Sequence, residues 1–257
     1  MEKIQVDGVH LEVQRLSPPT GESRAPIVFL HEGLGSVAMW RDWPAQVCAA
    51  TGRGGIVYSR RGYGESDAVP DVRGQGRLRP DYMHREAVEV LPRLLEQLHI
   101  ERPVLLGHSD GGSIALLHAA QFPVAACVVM APHVIVEDVS IRSIEEARRA
   151  FEAGGLRERL ARYHADVDGA FWQWNDIWLD PAFRGFDIRP QCHRTTAPVL
   201  AIQGEDDPYG TLRQIDEIAP TLGAFERRAL PQCGHSPQRD RPEETRRLVA
   251  EFLAALS

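Results

Sequence analysis

Cysteine is scarce in this chain. The 257 residues hold four, Cys48, Cys127, Cys192 and Cys233, with no C-x-x-C spacing among them. That absence excludes a disulfide framework and a cysteine metal cluster, and it fits a reducing compartment, here expected to be the cytoplasm. No apolar run approaches the roughly 20 residues that span a bilayer, so no membrane segment is expected. The opening stretch, Met1 to Val6, lacks the apolar segment of a signal peptide. Basic tracts are missing too: the net charge is −7 and the pI about 5.8, which argues against a nucleic-acid partner. There is no H-x-x-x-H pair, and neither Gly33-x-Gly35 nor Gly62-x-Gly64 extends to a third glycine in register. Metal and dinucleotide chemistry are therefore not expected, and no cofactor is.

What is present is an alternation of short apolar bursts and helical stretches. Bursts at Pro26–Leu30, Gly55–Tyr58, Pro103–Leu106, Ala125–Met130 and Pro198–Ile202 read as buried strands. Ile4 to Val13 alternates around Asp7-Gly8 and reads as an opening hairpin. Helical patterns are expected from Trp43, over Tyr82–Leu98 with Pro92 as a kink, after Ser113, over Thr211–Leu222 and over Pro242–Leu256, and a last strand near Phe225–Leu230. Repeated strand–helix units imply a mostly parallel sheet with helices on both faces. The alternation stops after Pro132, where a helical, Arg- and Glu-rich stretch begins. The expected organisation is a core of residues 1–134 and 195–257, with a small helical cap, 135–194, inserted after the sixth strand. Such a cap would lie over the carboxyl ends of the strands, where open α/β sheets bind ligands.

The stretch Gly107-His108-Ser109-Asp110-Gly111-Gly112 fits G-x-S-x-G between a strand and a helix. In that setting the serine stands on a sharp turn at a helix N-terminus, exposed above the sheet. A serine hydroxyl needs a base to take its proton, and the base needs an acid to fix its tautomer. Both follow in order: Gln203-Gly204-Glu205-Asp206-Asp207-Pro208 after one strand, and Cys233-Gly234-His235-Ser236-Pro237 before the last helix. Asp206 reads as a solvated neighbour, while Glu137 or Asp138, after the preceding strand, is the alternative acid. His31 and His108 read as loop-bracing residues.

With these residues together, the chain resembles the α/β-hydrolase superfamily over nearly its whole length. The resemblance implies a triad of Ser109, Asp207 and His235. Leu30-His31-Glu32-Gly33-Leu34-Gly35 is similar to the family's H-G-x-x-G oxyanion loop, with Glu32 where glycine is usual. That implies the N–H of Gly33, or alternatively Leu34, as one oxyanion donor and the N–H of Asp110 as the other. A serine at the nucleophile position argues against the family's dehalogenases and epoxide hydrolases, which attack through aspartate there.

Substrate contacts are expected from Glu32, Leu34, Trp174 and Trp178. Phe171, Trp174 and Trp178 share one helix face, which would pack the cap onto the body and wall an apolar pocket. The Ser109-Asp110-Gly111-Gly112 run resembles the elbow of valacyclovir hydrolase-like (biphenyl hydrolase-like) proteins. That likeness implies that Asp110 holds a substrate's α-amino group; a bond from Asp110 to nearby backbone or to an arginine such as Arg60 is the competing reading. The expected activity is hydrolysis of a small carboxylic ester through an acyl-enzyme. A thioester, a lactone or a C–C bond would use the same triad, and a non-catalytic ligand-binding homologue is the alternative of another class. A homodimer is among the assemblies left open.

Overall fold

The computed structural model describes residues 1–19, 24–218 and 222–256. Eight strands form one sheet: β1 (Glu2–Val6), β2 (Val9–Leu16), β3 (Ile27–Leu30), β4 (Gly55–Tyr58), β5 (Val104–His108), β6 (Ala126–Met130), β7 (Val199–Gly204) and β8 (Phe225–Leu230). Their order is β1-β2-β4-β3-β5-β6-β7-β8. The opening hairpin pairs antiparallel and joins β4 antiparallel; every later pair is parallel, so β5 lies mid-sheet beside β3 and β6.

Ile27-Val28-Phe29-Leu30 shows why the central strands read as unbroken apolar runs. Ile27 and Phe29 point into one core with Trp40, Trp43, Val57 and Phe252, while Val28 and Leu30 point into another with Leu94, Ile114 and Leu117. Both faces are covered, so no position along the strand can be polar without cost. The helices that cover them are α1 (Val37–Trp40), α2 (Trp43–Thr51), α3 (Tyr82–Arg85), α4 (Leu91–Gln97) and α5 (Asp110–Ala119). Between β6 and β7 come α6 (Asp138–Glu152), α7 (Gly155–Leu160), α8 (Val167–Trp178) and α9 (Arg189–Cys192), with a 3₁₀ turn at Pro181–Gly185. The chain closes with α10 (Arg213–Asp216), α11 (Pro237–Asp240) and α12 (Pro242–Ala254).

Two segments differ from the periodicity. Over Tyr82–Leu98 the helix is continuous, but Glu86–Val90 is a π-helical turn between α3 and α4. Pro92 has no N–H and its ring crowds the carbonyl four residues back, so the turn before it widens instead of kinking. The helix expected over Thr211–Leu222 is only the four residues of α10, and residues 219–221 of that span lie outside the described residues. Gln214 ties this short helix down. Its buried amide accepts from the Val134 N–H at 2.8 Å and donates to the Ile135 carbonyl at 3.1 Å and to Glu137 at 2.7 Å, which anchors the segment to the exit of β6. All four cysteines are buried and unpaired. Among the described residues no helix is long and apolar enough to cross a membrane.

Candidate active site

The turn from β5 into α5 takes a single residue. Ser109 holds φ 52° and ψ −119°, a region that L-residues seldom occupy. Its N–H is anchored on the Met130 carbonyl of β6 at 2.9 Å, and its carbonyl accepts from the Gly112 N–H at 2.8 Å. Gly111 must be glycine here, since a Cβ would sit 2.1 Å from the Leu30 carbonyl oxygen. The price of the turn is backbone strain, and the result is a hydroxyl lifted above the sheet at the N-terminus of α5.

His235 Nε2 lies 2.9 Å from Ser109 Oγ, and His235 Nδ1 lies 2.8 Å from Asp207 Oδ2 and 3.0 Å from Oδ1. The Asp207 carboxylate also accepts from Gln203 Nε2 at 2.6 Å and from the Tyr209 N–H at 2.8 Å. Burial pushes this carboxyl up, but the facing His235 and the hydrogen bonds outweigh it, and its pKa falls below the ordinary aspartate value. The other carboxylates considered go elsewhere. Asp206 is exposed, Glu137 bonds Thr211 and Gln214, and Asp138 pairs with Arg184. The His235 loop is braced from beneath by His108, whose Nε2 donates to the His235 carbonyl at 2.7 Å, and Tyr209 packs its ring 4.7 Å from the His235 ring.

Ser109 opens onto a cavity of about 120 Å³. Glu32, Gly33, Leu34, Asp110, Trp174 and Trp178 all border it. Phe171, on the same face of α8, does not; its ring stacks on Phe151 at 3.7 Å and fastens α8 to α6. Trp174 roofs Gly33 so closely that a Cβ there would lie 2.1 Å from the indole nitrogen. Among the described residues neither the Gly33 nor the Asp110 N–H donates a hydrogen bond within the protein.

Among the described residues the side chain of Asp110 makes a hydrogen bond to neither Arg60 nor backbone. Its Oδ2 accepts from the Tyr82 hydroxyl at 2.6 Å, and its Oδ1 is buried without a hydrogen-bond partner. Burial raises its pKa, countered only in part by Arg60, Tyr82 and the nearby Trp178 indole. Glu32 faces His108 at 3.4 Å; burial opposes its ionisation, yet His108 and His31 hold its pKa down at about 2.

Ile144, Tyr209 and His133 also border the cavity and carry no sequence motif. His133 is 2% exposed, and its Nδ1 is buried without a hydrogen-bond partner. Burial and the neighbouring His235 depress its pKa to about 3, so it is a neutral ring at working pH. Gln203 and Tyr82 escaped notice for the same reason: their roles come from contacts, Tyr82 with Asp110 28 positions away, and not from spacing.

Residues 27–248 match the model of the alpha/beta hydrolase family. The mouse (Mus musculus) protein named Serine hydrolase BPHL is 28% identical over 98% of this chain and 85% of its own length. The 2-hydroxymuconate semialdehyde hydrolase of Pseudomonas sp. (strain CF600) is 26% identical over 89% of this chain and 87% of its own. Among solved structures, the enol-lactonase from Burkholderia xenovorans LB400 superposes with a TM-score of 0.75 at 21% identity, covering 98% of this chain and all of that one. On the strength of this match, the chain is a hydrolase belonging to the alpha/beta hydrolase family.

Proposed function

We propose that this protein is a serine hydrolase that cleaves a small carboxylic ester through an acyl-enzyme. The observation that carries the reading is the unbroken hydrogen-bond chain Ser109–His235–Asp207 at the edge of a cavity. His235 Nε2 takes the proton from Ser109 Oγ as the oxygen attacks the ester carbonyl. Asp207, ionised and held by Gln203 and Tyr209, keeps the Nδ1–H tautomer and steadies the imidazolium. The N–H groups of Gly33 and Asp110 receive the oxyanion, aided by the dipole of α5. His235 then protonates the departing alcohol, and water attacks the acyl-enzyme by the same route. The stretch 135–194 serves as a cap, with Trp174 and Trp178 walling the acyl site.

The cavity lining supports a short acyl group. Leu34, Ile144, Trp174 and Trp178 close in on the space beside Ser109, which suits a compact apolar acyl group better than a long chain. The Tyr82 hydroxyl on Asp110 Oδ2 supports a structural part for this side chain, while its Oδ1 is buried without a partner.

Ser109→Ala is the decisive test. Turnover of p-nitrophenyl acetate or butyrate should fall on the order of 10⁴-fold or more, and turnover at the wild-type level would refute the triad. On an ester panel, kcat/KM should fall as the acyl chain lengthens from acetyl to octanoyl. Asp110→Asn should slow amino-acid esters and neutral esters alike; a selective loss on amino esters would instead make Asp110 an ammonium receptor.

A further inference from the structure

A single carbonyl in the oxyanion loop, that of Glu32, accepts from three donors: His31 Nδ1 at 2.6 Å, Arg60 Nη2 at 2.9 Å and the Gly35 N–H at 3.1 Å. A fourth contact fixes the residue before it, since Arg60 Nη1 donates to the His31 carbonyl at 2.5 Å. Arg60 also sets the imidazole of His31: its own backbone N–H donates to His31 Nε2 at 3.0 Å, which leaves Nδ1 as the donating nitrogen. A trans peptide is planar and places its C=O and N–H on opposite sides. Pinning the Glu32 oxygen toward Arg60 therefore turns the Gly33 N–H to the opposite side, and Gly33 borders the cavity of Ser109.

We propose that Arg60 is a positioning residue for the oxyanion hole, holding the Glu32–Gly33 peptide in the orientation that presents the Gly33 N–H. The inference rests on the reading of Gly33 as an oxyanion donor. Arg60 follows β4 and touches none of Ser109, His235 or Asp207 among its hydrogen-bond partners. It is 5% exposed. Burial opposes its charge, but Tyr63, Asp110, Glu86 and Tyr58 around it more than offset that, and its pKa is raised. The guanidinium thus remains a cation in the interior, and charge-assisted bonds to carbonyls are the strong kind. Its planar fork spans the two carbonyls at once, which an ammonium at the end of a lysine cannot do.

The test uses Arg60→Gln and Arg60→Lys in the full chain, with p-nitrophenyl acetate kinetics and the affinity of phenylboronic acid, which forms a tetrahedral adduct on the serine. Losing one oxyanion donor costs about 10²- to 10³-fold in kcat. Arg60→Gln should accordingly lower kcat about 10²-fold, leave KM within about threefold, and weaken the boronate in parallel with kcat. Arg60→Lys should lose at least about 10-fold in kcat, because it keeps the charge and cannot hold both carbonyls. Methylguanidinium should restore part of the Arg60→Gln loss, since Arg60 also lines a separate open cleft of about 510 Å³ that admits it. The proposal is overturned if either variant keeps kcat and boronate affinity within about threefold of wild type, or if only KM moves. Should Arg60→Gln fail to fold, the lysine variant decides alone. An active Ser109→Ala would remove the underlying reading; an inactive Ser109→Ala beside an unimpaired Arg60→Lys would remove this inference only.

Discussion

Gly33 and Trp174 meet across the mouth of the site with no room for another carbon, since a Cβ at position 33 would fall 2.1 Å from the indole nitrogen. Gly33→Ala must push either α8 or the loop that carries Gly33. We expect at least a 10-fold fall in kcat, with a lower melting temperature, and an unchanged kcat would show that the ring swings aside freely. Asp207 makes a second residue-scale case. Asp207→Asn should cripple turnover, by about 10⁴-fold as for other triad acids, while Asp206→Asn should keep near wild-type rates; kinetics of the two variants side by side decides between neighbours. Ser109, Asp207 and His235 were legible in the sequence because each sits in a short local pattern whose glycines and order carry meaning. Arg60, His133 and Gln203 were not. Arg60 works through residues distant in sequence, His31 and Glu32; Gln203 bonds Asp207 only four positions on, but no motif marks that bond; His133 is a buried ring whose Nδ1 has no partner. Nothing in spacing announces any of these.

At the scale of elements, the central strands were readable because burial on both faces leaves a run of apolar residues bounded by turns. The π-helical turn at Glu86–Val90 was not, since a widened turn leaves the apolar spacing almost unchanged. Thr211–Leu222 has helical spacing, yet the helix spans only Arg213–Asp216, and Gln214 within it commits its side chain to another segment. That amide makes bonds to the buried Val134 and Ile135 and to the half-buried Glu137, just past β6. Gln214→Ala leaves a buried N–H and C=O unpaired, at about 1–3 kcal/mol each. Urea unfolding should show a loss of about 2–6 kcal/mol with an unchanged m-value, and a loss under about 0.5 kcal/mol would mean that the anchor is dispensable.

For the whole molecule, the buried histidines set how stability responds to acid. His31, His118, His133 and His164 are buried and all have pKa values below the ordinary one, with burial the first cause in each. A base whose folded pKa is depressed binds its proton more readily when unfolded. Its neutral form stabilises the fold above the ordinary value near 6.5, and that contribution is lost as the pH falls below it. Each such ring costs up to roughly 1.4 kcal/mol per pH unit until its folded pKa is reached, which for His133 is about 3. Melting temperature should therefore drop steeply from about pH 6.5 to pH 4, and His133→Phe should flatten the slope; a flat profile in the wild type would contradict the burial of these rings. The architecture at this scale was open to reading from the strand–helix alternation alone, whereas the roofing of the oxyanion loop by α8 was not, because it joins residues 33 and 174. That roof has a consequence for anyone redesigning the enzyme. Widening the proposed acyl pocket at Trp174 also frees the loop beneath it, so on that reading breadth of substrate and speed of turnover are tied together at that position. Ile144, which borders the same cavity from α6, offers a place to widen it from another helix.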